Sequence, residues 1–257
     1  MKKIKVNRAP VKTILVQAII FLAFLFLVGY IWKVAKHSPY FAVKEVITRG
    51  ATVDLSYLKG RNIFDIPLRL ESENIIVRYP DYVRVKIIRL LPDRLFVDFV
   101  RRVPYACVKL YRNFIIDGEG VFFNPSEAAD TQELPLITGL ETKIFGPKIG
   151  IAPDNRELLF ALDIIKGFKA SRVLRRFRIR KIDMANSEAV SIFINKLYIP
   201  TVAAGDMEIK IWADNSNEKI RLLSGLLKLY GNSMENIKYI DLRFKEPVIK
   251  FKNAKSP

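Results

Sequence analysis

The chain has 257 residues and a formal charge of +17, from 43 basic and 26 acidic side chains, and half of it is hydrophobic. That length holds one large or two modest domains, and the apolar content excludes wholesale disorder. A single cysteine, Cys107, and a single histidine, His37, exclude an intrachain disulfide, cysteine metal clusters, multi-histidine zinc sites and any triad not based on His37. The basic excess favours anionic partners: nucleic acid, anionic lipid, an envelope polymer or an acidic protein.

The run Thr13 to Trp32 carries no charge, and only Thr13 and Gln17 are clearly polar. Twenty helical residues rise about 30 Å, the thickness of a bilayer core. Tyr30 and Trp32 stand where interfacial aromatic anchors belong. The run is too long for a cleaved signal peptide, and "YIWKVAKHS" offers no small-x-small site. Lys2, Lys3, Lys5, Arg8 and Lys12 precede the span without an acid, whereas Lys33 and Lys36 follow it. The positive-inside rule therefore places residues 1–12 in the cytoplasm as a short tail. Residues 33–40 read as a juxtamembrane linker containing His37, and everything beyond lies outside the cell membrane. An exterior domain does not meet chromosomal DNA, so headgroups, envelope polymers and acidic proteins become the favoured partners.

Phe41, Val43 and Val46-Ile47 before Gly50 predict a first strand, and Leu55 with Leu58 a short helix. A second helix runs from Leu70 to about Arg78 and stops before Pro80. Val83, Val85 and Ile87, then Leu95, Val97 and Phe99, alternate with other residues as a hairpin turning at Leu91-Pro92-Asp93. The order β-α-α-β-β fills residues 41–103 as a small α+β unit.

Beyond Pro104, "YACVKLY" and "FIIDGEGVFF" suggest a hairpin around Asp117-Gly118-Glu119-Gly120. "ELPLITGL" reads as a loop that tucks Leu134 and Ile137 into the core. Asp154 with Glu157 forms a capping box for a helix whose Leu158, Leu162 and Ile165 share a face before Gly167. "RRFRIRKIDM", "AVSIFIN" and "MEIKIW" are strands. Asn215 with Glu218 caps a last helix with the stripe Ile220, Leu223 and Leu227, ending near Gly231. The closing strand, "KYIDLRFKEPVIKF", alternates through Ile240, Leu242 and Phe244, then slips phase at Glu246-Pro247, predicting a bulge. Pro247 cannot donate to a ladder, which puts this strand at a sheet edge. Residues 104–251 thus form a second, mainly antiparallel β domain with flanking helices, joined closely to the first, and 252–257 form a flexible tail.

Chemistry is sparse. No Gly-rich stretch has the ending or context of a phosphate loop. Asp65, Asp93, Asp98 and Asp163 occur singly, without an acid-base constellation, so the chain reads as no enzyme, with no cofactor and no metal. Within Arg172–Lys181, the side chains of Arg176, Arg178 and Arg180 alternate with Phe177 and Ile179; they form a solvated face or a cationic patch for an acidic partner or headgroups. Cys107 reads as a small core residue.

Several motifs occur in order behind the anchor: Phe41-x-Val43-x-x-Val46 with Gly50, "YPDYVRVKIIRLLPDRLFVDF", "RRVPYA", "IIDGEGVFF", "LPLITG" and "YIDLRF". Together they resemble the FtsQ/DivIB family of bacterial cell-division proteins over nearly the whole chain. Two departures stand out. Arg101-Arg102 replaces the family's usual Glu-Arg, and Trp212 stands where glycine is common.

The resemblance implies a cytoplasmic tail (1–12), a span (13–32), a POTRA domain (41–103) and a β domain (104–251). It implies a single-pass type II protein of the inner membrane at the division septum, with its bulk periplasmic if there are two membranes. Its implied role is a non-enzymatic divisome scaffold holding FtsB-like and FtsL-like partners by strand addition, and linking early and late division components to septal peptidoglycan synthesis. Other divisome membrane proteins would meet the POTRA domain, and nucleic acid is not a partner. The implied contact residues are Asp241, Leu242, Arg243, Phe244, Lys245, Val248, Ile249 and Lys250. Backbone supplies ladder bonds there and alternate side chains supply specificity, with Arg243 meeting a partner carboxylate. Phe244 either anchors the partner or shares the core phase of Leu242; spacing does not choose. The alternative reading, a POTRA-bearing secretion or assembly component holding client peptides, calls for a barrel or further POTRA copies, and the sequence displays neither.

Overall fold

A computed structural model describes residues 11–125, 133–186, 188–196, 206–214, 216–230 and 236–252. The apolar run forms helix α1 (Val11–His37), with Thr13–His37 long and apolar enough to cross a membrane. The helix continues past Trp32, because Lys33, Val34, Ala35 and Lys36 include no breaker and Pro39 is the first residue that cannot continue it. His37 therefore belongs to the last helical turn, its Nδ1 2.8 Å from the carbonyl of Lys33. The chain divides into two compact units, up to Val100 and from Arg101 onward.

In the first unit, β1 (Glu45–Arg49), α2 (Leu68–Arg78), β2 (Tyr82–Leu90) and β3 (Arg94–Arg101) follow in order. The sheet order is β1-β3-β2, with β1 parallel to β3. The helix expected near Leu55 is a single 3-10 turn, Ser56–Leu58, which Gly60 and Pro67 leave no room to extend. Leu95, Val97 and Phe99 bury together as their alternation predicts. In β2 the phase differs from expectation: Tyr82, Val85 and Ile87 are buried and Val83 is exposed. Tyr82 gains a ring contact with Phe99 at 4.9 Å, which outweighs the smaller valine.

Among its described residues the second unit contains nine strands and two α-helices. These are β4 (Ala106–Lys109), β5 (Asn113–Ile116), β6 (Phe122–Phe123), β7 (Leu136–Thr138), α3 (Arg156–Ala170), β8 (Phe177–Asp183), β9 (Ala189–Lys196), β10 (Met207–Trp212), α4 (Ser216–Tyr230), β11 (Ile237–Asp241) and β12 (Val248–Phe251). One sheet orders them β12-β11-β10-β9-β8-β7-β4-β5-β6. It is mixed: β4 with β7, β7 with β8 and β10 with β11 are parallel, and the other pairings are antiparallel. Helices α3 and α4 are the crossovers of two of these parallel pairs, as parallel neighbours require.

Several sequence expectations need correction. "ELPLITGL" is not all loop, since Leu136–Thr138 is strand β7, with Ile137 fully buried between partly exposed neighbours. It leads into Gly139, whose φ of +82° admits glycine readily, and where a Cβ would fall 2.1 Å from the nitrogen of Ala185. The first hairpin turns at residues 110–112 between β4 and β5, and Asp117-Gly118-Glu119-Gly120 makes a second one between β5 and β6. Asn155, not Asp154, caps α3 by accepting the N–H of Leu158 at 2.8 Å; Glu157 instead reaches Lys143 at 3.4 Å. Gly167 does not end α3. It lies where α4 packs closely, and a Cβ there would fall 2.3 Å from Cδ1 of Ile220. Cys107 is half-buried on the sheet face opposite the core, because Ala106 and Val108 take the inward phase; burial pushes its thiol pKa up. The expected cap Asn215 and helix end Gly231 lie outside the described residues, as do most of the tail 252–257 and of the stretch 1–12.

The core of this unit is one cluster between helices and sheet. It includes the predicted stripes Leu158, Leu162 and Ile165 on α3, and Ile220, Leu223 and Leu227 on α4. The altered joint motif has a partner: Arg102 forms a buried ion pair with Asp117, whose other oxygen accepts the N–H groups of Glu119 and Val121 at 2.9 Å.

Candidate partner-binding edge

The closing segment is a hairpin, not one bulged strand. β11 lies inside the sheet, between β10 and β12, and β12 forms the edge among the described residues. The reversal begins at Asp241, whose Oδ1 accepts the N–H of Arg243 at 3.0 Å, an Asx-turn that steers the chain out of the ladder. Glu246 and Pro247 lie in the reversal, so no bulge falls there; the register irregularity is in β11, between Ile237 and Tyr239. Pro247 precedes β12, where its missing donor interrupts nothing.

The eight expected contact residues divide into three groups. Asp241 and Leu242 are buried; Leu242 donates its N–H to the carbonyl of Lys210 at 2.8 Å and accepts from Nζ of Lys219 at 2.9 Å. Arg243, Phe244 and Lys245 form the reversal. Val248, Ile249 and Lys250 belong to β12, opposite Asp241, Ile240 and Tyr239. Val248 is exposed, whereas Ile249 packs against the core. Phe244 leaves the phase of Leu242 and is 57% exposed.

Arg243 meets a carboxylate, but one from its own chain. Its Nε lies 2.9 Å from Oδ1 of Asp241 and its Nη2 2.6 Å from Oδ2. Burial alone would push the Asp241 carboxyl up. The hydrogen bonds from Arg243 and the positive charges of Arg243 and Lys210 outweigh it, so the net shift is below the ordinary aspartate value. The guanidinium carbon lies 5.6 Å from the ring centre of Trp212 and 5.9 Å from that of Phe244. Trp212 Nε1 donates to the carbonyl of Arg243 at 2.7 Å. Ion pair, indole and phenyl ring thus brace the reversal and hold Phe244 outward.

The backbone of β12 faces two ways. The N–H of Lys252 turns inward to the carbonyl of Asn236 at 2.6 Å. Alternation along a strand then directs the N–H and C=O groups of Ile249 and Phe251 to the open side. Sequence reasoning missed Trp212, taken only as a departure, and Phe251. The signal for both was a large aromatic residue at a strand end with nothing in the local pattern to bury it.

Other candidates for chemistry are engaged elsewhere. Asp65, Asp93, Asp98 and Asp163 pair with Lys36, Lys44, Arg49 and Lys166. Among the described residues no group of three or more His, Cys, Asp or Glu could hold a metal ion. Of the basic stretch, Arg176 lies in a 3-10 turn before β8, while Arg178 and Arg180 project from the strand, so the three guanidinium groups do not share one strand face.

The fold and edge define an α+β protein with an apolar N-terminal helix fit to span a membrane and a large sheet with an open margin. Residues 106–243 match the model of the C-terminal region of cell division protein FtsQ/DivIB, more than half of the chain, and the chain belongs to that family. Cell division protein FtsQ of Geotalea daltonii is 24% identical over 231 residues, covering 86% of this chain and 80% of that protein. Cell division protein FtsQ of Syntrophotalea carbinolica is 25% identical over 222 residues, covering 82% and 74%. The chain is thus a cell-division protein, and its N-terminal helix fits a single-pass membrane protein. The family match ends at Arg243, before β12.

Proposed function

We propose that this protein is a non-enzymatic scaffold of the division machinery that captures FtsB-like and FtsL-like partners by adding their strand to β12. The observation that carries this reading is the edge itself: outward backbone groups at Ile249 and Phe251, flanked by exposed Val248 and Phe244. An added strand would complete the ladder, and Phe244, Val248 and Phe251 would supply its apolar contacts. Arg243, already engaged by Asp241, orders the reversal and shares its charge with an acidic residue of the partner; Lys245 and Lys250 add attraction at the rim. In this reading residues 41–103 are a POTRA domain, supported by the order β1-β3-β2 with β1 parallel to β3. The basic residues before α1 support a cytoplasmic N-terminus, with both units outside the membrane and gathered at the septum.

Capture of a cognate FtsB-like protein by the detergent-solubilised chain tests this, comparing it with a chain ending at Lys245. That deletion keeps β11 and the buried Leu242. Undiminished capture by the shortened, folded chain would remove the edge mechanism.

A further inference from the structure

A recess lies away from the β12 edge, where the last turns of α3 meet the start of β8. Its floor is Ile165, Phe168, Phe177 and Ile179, and its volume is about 320 Å³. Leu134 and Glu133 close one side, and a second recess of about 450 Å³ shares them and Arg178, adding Arg180. Apolar floor and cationic rim are thus side by side. Lys169 holds its ammonium 3.6 Å from the ring centre of Tyr105, and loss of hydration lowers its pKa. Neither Lys169 nor Arg175 has a carboxylate partner among the described residues. Glu133 bonds Arg178 at 3.0 Å, but its side chain is 67% exposed and can be exchanged for another carboxylate.

We infer that this recess is a docking site for an acidic peptide segment of a partner protein, one that places a bulky apolar side chain beside carboxylates. Its volume suits one aromatic side chain and its neighbours, and is short for a lipid acyl chain. Its cations are spread over α3, the 3-10 turn and β8, which suits several separated carboxylates better than one phosphate headgroup. The apolar side chain fills the floor, its neighbours meet Lys169 and Arg175, and one carboxylate replaces Glu133 on Arg178. β8 is four strands from β12 in the sheet, roughly 19 Å at ordinary strand spacing, so the two sites can be filled together.

Isoleucine-methyl NMR of the full chain in detergent micelles tests the site with the peptide EDFEE. The signals of Ile165 and Ile179 should shift and saturate, while Ile249 stays still. Lys169→Glu with Arg175→Glu should weaken binding at least tenfold, and Lys169→Arg alone should leave it within twofold. The chain ending at Lys245 should respond as the intact one does, which separates this site from the fate of the edge mechanism. The inference is overturned if those signals do not move, if KKFKK or EDGEE binds as tightly, or if phosphatidylglycerol micelles displace EDFEE at equal charge.

Discussion

The two margins of the nine-stranded sheet are opposites. At one, β6 is only Phe122–Phe123, both buried, and residues 150 and 151 cover it: Gly150 donates to the carbonyl of Phe122 at 2.7 Å and Ile151 accepts its N–H at 3.4 Å. At the other, β12 is longer and largely exposed, and among the described residues no strand pairs with its outer side. An uncovered edge invites unwanted pairing, and proteins ordinarily blunt it. This chain blunts one edge with its own backbone. On the other it places Lys245, Pro247 and Lys250 beside exposed Phe244 and Val248. Charges that discourage self-pairing while apolar contacts remain are what selective pairing with a different, acidic strand requires.

The contrast can be broken from either side. Deleting residues 246–257 removes β12 with its outward backbone groups and the exposed Val248 and Phe251, and should reduce partner capture by at least about 100-fold, or about 2.7 kcal/mol, with the fold retained by circular dichroism. Gly150→Pro attacks the covered edge, since it removes the donor to Phe122 and proline cannot adopt a φ of +87°. It should cost about 2 kcal/mol in chemical denaturation and produce concentration-dependent oligomers by light scattering, as β6 becomes a second open edge. A finer probe is Phe251→Pro, which deletes one outward donor of β12 but no inward ladder bond. A loss of about tenfold in capture is expected, against a small change in melting temperature. If Phe251→Pro binds normally, the outward backbone groups are not what the partner uses.

The asymmetry was only half legible in the sequence. Pro247 marked an edge because its chemistry is local, and the stripes on α3 and α4 were readable because helix faces repeat within a few residues. The covering of β6 was not, since residues 150 and 151 meet Phe122 only after the chain has passed through β7. That three-residue strand has no alternation to reveal it, and Pro135 and Gly139 around it imitate a loop. At the site, "YIDLRF" looks like one strand because alternation continues by coincidence across the turn that Asp241 makes with Arg243. Trp212 reaches Arg243 only because the α4 crossover sets β10 beside β11, which no local pattern encodes. Asp154 and Asn155 are adjacent residues with equal capping chemistry, and only the helix phase selects the second.

The smallest effect separates the edges by chemistry. The cover on β6 uses backbone bonds to Phe122 and the packing of Ile149, with no titrating group in those bonds, whereas the reversal before β12 includes an ionised carboxylate. Because the Asp241 pKa is depressed in the folded chain, its contribution is complete above the unfolded aspartate value of about 3.9 and is lost as pH falls through the lower folded value. Arg243→Gln removes the guanidinium charge and its paired side-chain hydrogen bonds, so the depression of the carboxyl weakens and only the backbone N–H of residue 243 and the charge of Lys210 remain to oppose burial. At neutral pH the variant should lose about 1 kcal/mol and capture about threefold less partner. Its deficit in melting temperature should narrow as pH falls from 5 toward 3, since protonation takes the same contribution from the parent chain. The Gly150→Pro deficit should hold constant over that range, because no titrating group takes part in the bonds it breaks. Parallel pH profiles for parent and Arg243→Gln would mean that the Asp241 pair does not stabilise the reversal, and that Trp212 and the apolar contacts alone hold Phe244 toward the partner.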